Sequence, residues 1–103
     1  MSVRFNGFQR DHGKAIVNIA KHGVSFAEAA TVFDDPHARM IGDPDHSCLE
    51  DRFIIIGNST KANLLVVCHC RRCQGRSIRI ISARRATKRE SSAYWRWRHE
   101  SGI

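Results

Sequence analysis

Apolar and polar positions follow two rhythms along this chain, helical at first and strand-like afterwards. Ala15, Ile16, Ile19 and Ala20 recur at spacings of three and four, which predicts a helix over 12–22 with an apolar stripe. Asp11 is placed to cap its start. Lys21 and His22 suit the negative end of its dipole, and Gly23 supplies the left-handed residue that stops it. Ser25 and Glu28 form a capping box that opens a second helix over 26–33, with Phe26, Ala29, Ala30 and Phe33 turned inward. Asp34-Asp35-Pro36 ends it. The period then changes to two, predicting strands at 38–41, 51–58, 64–70 and 78–83. Polar turns fall at Gly42–Ser47, Ser59–Asn63 and Arg71–Arg76, and the first eight residues offer a short edge strand. Thr87 and Glu90 repeat the capping-box pattern and start a last helix that runs to His99.

Three consecutive hairpin-linked strands imply an antiparallel arrangement. The predicted fold is α+β: two N-terminal helices and a C-terminal helix packed on a mainly antiparallel sheet, in one domain spanning residues 1–103. A chain of this length buries roughly two-thirds of its unfolded surface, enough for one ordinary core.

Charge sharpens this outline. From Arg71 onward ten Lys/Arg stand against Glu90 and Glu100, a local charge of +8. The first seventy residues hold the other seven Lys/Arg and eight Asp/Glu, or −1. Nine of those ten cations are Arg, whose planar fork matches a phosphate bidentately, so the expected partner is a nucleic acid. A basic face kept for solubility is the plainer alternative. No apolar run approaches the ~20 residues of a membrane span, and no signal-peptide core follows Met1. The expected compartment is the cytoplasm, with the four cysteines reduced.

Several stretches together resemble the BrnT family of toxins from type II toxin–antitoxin modules. They are Lys21 to Asp34, then Asp45-His-Ser47 with Glu50 and Arg52, then Arg79 to Glu90 with Tyr94. They occur in the family's order and spacing over nearly the whole chain, about Phe5 to Tyr94. The resemblance implies a RelE-like fold, an endoribonuclease that arrests translation, and a BrnA-like antitoxin through which alone the module meets DNA. Two departures stand out. Gly7-Phe8 replaces a tryptophan usual near the first helix, and the turn Cys70-Arg-Arg-Cys-Gln-Gly75 is unusually rich in Cys and Arg. Either Arg71 or Arg72 holds the family's turn arginine, with Arg72 favoured.

RNA cleavage of this kind needs no cofactor, because the substrate's own 2′-hydroxyl attacks the adjacent phosphate. The enzyme must align the chain, move a proton and neutralise charge on the phosphate oxygens. Arg72, Arg79 and Arg84 are the charge-stabilising candidates. Strand alternation puts Arg79 with Ile81 and Ala83, and Arg84 on the other face with Ile80 and Ser82, unless a bulge intervenes. Arginine does not give up a proton, so the carrier is sought among His46, Glu90 and Tyr94. The capping box alone accounts for Glu90, and packing on the sheet accounts for Tyr94, whereas His46 in its polar turn has no packing role. Arg71, Arg85, Lys88, Arg89 and Lys21 are candidate RNA contacts. Trp95 and Trp97 cannot share one helical face, so an exposed ring with its Arg neighbours is a candidate antitoxin contact. Cys68-His-Cys-Arg-Arg-Cys73 lacks the paired spacing of a zinc site and reads as strand thiols plus a turn thiol. The rival readings are a nucleic-acid-binding module without catalysis and an inactive, partner-binding member.

Overall fold

The computed structural model of the chain describes residues 7–9, 12–42, 52–72 and 77–100. Its elements are β1 (Gly7–Gln9), α1 (His12–His22), α2 (Phe26–Thr31) with a 3-10 turn (Val32–Asp34), β2 (Arg39–Gly42), β3 (Arg52–Asn58), β4 (Leu64–Arg72), β5 (Ser77–Arg85) and α3 (Lys88–Glu100). The strands form one sheet in the order β1-β5-β4-β3-β2. All neighbours are antiparallel except β1, which pairs parallel to β5.

The local signals act where the residue pattern puts them. Ser25 Oγ accepts from the Glu28 N–H at 3.0 Å, and Gly23 ends α1 at φ +70° with its N–H donating to the Ile19 carbonyl at 2.8 Å. Both halves of the Thr87–Glu90 box are closed. Glu90 N–H donates to Thr87 Oγ1 at 3.1 Å, and Thr87 N–H donates to Glu90 Oε1 at 2.9 Å. Glu28 has a second role that local pattern does not reveal. Its carboxylate accepts from Ser59 Oγ at 2.7 Å and Asn63 Nδ2 at 2.8 Å, tying α2 to the β3–β4 hairpin.

One face of the sheet carries the main core: Leu65, Val67, Ile78, Ile80 and Ala83 pack against Val24, Phe26, Ala29, Val32 and Phe33. On the other face Ile56 and Val66 pack under Tyr94 of α3. The expected stripe on α1 is corrected by the structure. Ala15 meets the core, but Ile16, Ile19 and Ala20 face outward, and the buried residue of α1 is Asn18. The reason is an edge. Among the described residues β1 pairs with β5 over Ser77–Arg79, and farther along β5 the Asn18 amide takes the place of a neighbouring strand. Asn18 Oδ1 accepts from Ala83 N–H at 3.0 Å, and Nδ2 donates to the carbonyls of Ala83 at 2.8 Å and Val24 at 2.9 Å. Satisfying that buried peptide fixes the rotation of α1, and the aliphatic residues go where the rotation sends them.

His69 points into the main core with 0% exposure, edge-on to Phe33 at 4.8 Å and stacked near Phe53 at 6.0 Å between centroids. Neither ring nitrogen has a hydrogen-bond partner, and burial among apolar groups pushes the imidazole down to about 4.

Candidate nucleic-acid face

Strand β5 runs on through Arg84 and Arg85, beyond the expected end at Ala83, and it contains a bulge. Ser82 pairs with Cys68 while Ile80 pairs with His69, so Ile81 is an extra residue in β5. The extra residue reverses the alternation beyond it. Arg79 lies opposite Cys70 and Arg84 opposite Val66, and Val66 and Cys70 share a face of β4. Of the two arrangements left open by the sequence, plain alternation and a bulge, the structure has the bulge, which brings Arg79 and Arg84 to the same face.

That face reads as two cross-strand rows. Arg84, Val66, Ile56 and Arg39 form one, with an arginine at each end and aliphatic residues between. Arg79, Cys70 and Arg52 form the other. The rows cross β4 four positions apart, at Val66 and Cys70, about 13 Å along the strand. Helix α3 crosses the first row. Beneath it lies an apolar cavity of about 150 Å³ whose walls include Ile54, Ile56, Val66 and Tyr94, with Arg39 and Glu90 at its margins.

Arg84 is held as a fork. Its Nη1 and Nη2 donate to the two carboxylate oxygens of Glu90 at 2.8 and 2.9 Å. The Arg84 bond, with help from the Thr87 N–H, holds the Glu90 carboxyl at about 2, so it stays ionised and is a weak base at neutral pH. Tyr94 is 2% exposed, and its hydroxyl donates to Asp35 Oδ2 at 2.7 Å. The same carboxylate accepts from the backbone N–H groups of Asn58 and His37 at 2.8 and 2.9 Å. Burial by itself would raise the Asp35 pKa, but these three donors outweigh it and bring it below its ordinary value. Burial, and then the Asp35 charge, push Tyr94 upward. Asp35 thus joins the 3-10 turn, β3 and α3, and Tyr94 is the bolt that docks α3 on the sheet.

The other sequence candidates separate. Arg85 lies opposite Leu65, toward the main core's side, where its Nη1 donates to Asn63 Oδ1 at 3.1 Å. Arg71 is opposite Ile78 on that same side, with its guanidinium 4.8 Å above the Phe53 ring. Arg85 and Arg71 are thereby divided from Arg84 and Arg79, because adjacent strand residues point opposite ways. Lys88 and Arg89 are exposed in the first turn of α3, and Lys21 is on α1. Arg72 closes β4 with its Cα paired to Ser77. His46 and its turn lie outside the described residues. Trp95 is 46% exposed, beside the Tyr94 ring and the Arg98 guanidinium, while Trp97 carries the Arg39 guanidinium 5.1 Å from its ring. Arg39 and Asp35 carry no signal in one-dimensional pattern; strand pairing reveals the first, and the hydrogen bonds from Tyr94, Asn58 and His37 reveal the second. Cys68 and Cys70 share a face and His69 takes the other, and among the described residues no group of three His, Cys, Asp or Glu side chains is gathered as a metal site.

The fold is similar to that of a solved ribonuclease toxin. The 1.1 Å crystal structure of Brucella abortus BrnT matches it with a TM-score of 0.63 at 24% identity, over 80% of this chain and 97% of that one. The family described as "Ribonuclease toxin, BrnT, of type II toxin-antitoxin system" matches residues 11–90, and the chain belongs to that family. No curated protein sequence matches it. Among the described residues no helix is long and apolar enough to cross a membrane.

Proposed function

We propose that this chain is an endoribonuclease toxin that cuts RNA on the arginine-bearing sheet face and so halts translation, and that a cognate antitoxin restrains it. The observation that carries the reading is the β5 bulge. By putting Arg79 and Arg84 on one face, with Arg52 and Arg39 across the strands, it supports a path for a ribonucleotide backbone between the two rows. In this reading a 2′-hydroxyl attacks its own 3′-phosphate. The bond to the leaving 5′-oxygen breaks, and guanidinium groups stabilise the charge that builds on the phosphate oxygens. Glu90 is a positioning residue that presents Arg84 in a fixed plane. Tyr94, its proton committed to Asp35, supports the helix. His46 is assigned the proton transfer, since an imidazole titrates in the useful range and the arginines do not.

Labelled RNA incubated with the purified chain, with and without EDTA, tests this reading. Cleavage that survives EDTA is expected. Arg79→Ala and Arg84→Ala should each lower the rate about a hundredfold, the usual cost of losing one such donor, with folding preserved. Salt-sensitive binding of uncut RNA would instead identify a non-catalytic binding module. Wild-type rates in both variants would refute the arginine assignment. Expression in a bacterium with RNA integrity followed over time extends the test to translation arrest.

A further inference from the structure

Helix α1 is turned against the usual rule for a surface helix. At 100° per residue, Ala15, Asn18 and His22 point inward. Ile19, Ile16, Ala20 and Val17 form a contiguous outer arc. Ile16 is 68% exposed, Val17 60% and Ile19 51%, so three β-branched side chains on one three-turn helix face away from the core. A solvated helix face has no use for such a patch, and patches of this kind mark contact with another protein. The anchor explains why α1 tolerates it, since the Asn18 bonds to Ala83 and Val24 hold the helix without any of these residues.

We infer that the outer face of α1 is the docking surface for the antitoxin, and that it receives an amphipathic helical segment whose apolar stripe is flanked by carboxylates. Charge selects that chemistry. The helix contains no acidic residue. Val17 lines a groove of about 490 Å³ whose rim carries Lys14, Lys21 and His22, and whose floor includes Ile81 and Ser82 of β5. The apolar arc of Ile19, Ile16 and Val17, bordered on its Val17 edge by Lys14 and Lys21, is complementary to an acidic amphipathic helix that lies along the arc and meets the groove at Val17. The inference rests on the toxin reading for its occupant. The apolar arc itself points away from the core, while the groove beside it ends at Ser82, which pairs with Cys68 on the arginine-bearing face between the two rows. The antitoxin would thus be held at one place while its remaining length reaches the arginine face.

The experiment uses the full chain co-expressed with the antitoxin of its own module, with affinity measured by calorimetry and RNA cleavage measured on the chain alone. Ile16→Glu should weaken the complex about tenfold or more, as loss of an interface anchor does, while cleavage by the free chain is unchanged. Trp95→Ala on α3 is the rival. If it weakens the complex and Ile16→Glu does not, the inference is overturned. A chain that forms dimers by light scattering, dissociated by Ile16→Glu, would assign the face to a second copy and also overturn it. A markedly lower melting temperature of the isolated Ile16→Glu chain would place Ile16 in this chain's own packing and overturn it too. If the wild-type chain cuts no RNA yet loses the antitoxin on Ile16→Glu, the nuclease reading fails and the docking surface stands.

Discussion

His69 makes the acid stability of this protein calculable. Its imidazole titrates at about 4 in the folded chain against 6.5 when exposed, because the core around Phe33 and Phe53 gives the charged form no water and neither nitrogen a partner. The unfolded state therefore takes up the proton first, at the higher pH. Stability from this residue is complete above pH 6.5, falls as the pH drops through 6.5, and stops falling below about 4. The interval of 2.5 pH units corresponds to about 3 kcal/mol, a large part of what a domain of this size possesses. The carboxylates act lower down. Asp35, Glu28 and Glu90 all have lowered values, so their contributions are lost as the pH falls beneath the ordinary carboxylate range. The assay is a set of urea unfolding curves between pH 7.5 and 4, for the wild type and for His69→Leu. Between pH 6.5 and 4.5 the wild type should lose most of that 3 kcal/mol, while the variant stays nearly level. Parallel curves would show that the folded chain protonates His69 without penalty, and the argument from burial would be refuted.

Other perturbations separate structural bonds from chemistry. Tyr94→Phe removes the donor to Asp35 and should cost about 1–2 kcal/mol in urea unfolding with cleavage per folded molecule unchanged. A hundredfold fall in rate at full stability would return Tyr94 to the reaction. Asn18→Ala leaves the N–H and carbonyl of Ala83 without their partner and should cost about 2–4 kcal/mol, a large effect for an exposed-looking helix. A loss below about 0.5 kcal/mol would mean water replaces the amide there and that α1 is held by something else.

The arginine face depends on one residue of register. A β5 strand without the bulge at Ile81 would send Arg84 to the face opposite Arg79, as plain alternation requires. The bulge also sets Ala83 into the main core beside Asn18, so the device that aligns the arginines also seats α1. The Glu90–Arg84 fork lies where α3 begins, and the capping box that starts the helix fixes Glu90 for it. Local helix chemistry and the proposed site thus share one carboxylate.

Much of this protein was legible one segment at a time. The bounds of α1, the capping boxes at Ser25 and Thr87, the left-handed Gly23, the β3–β4 hairpin and the α+β class all follow from interactions within a few residues, and the residues themselves encode those. The family likeness was readable for the same reason, as short motifs in a set order. What the segments could not announce was every relation that crosses the sheet. Arg39 meeting Arg84 through Ile56 and Val66, Asp35 receiving Tyr94, Asn18 completing the edge of β5, and the outward turn of Ile16 all depend on which strand lies beside which. A hydrophobic pattern assigns a residue to a face only while the alternation is unbroken. One extra residue in β5 broke it, and only the packed sheet shows where.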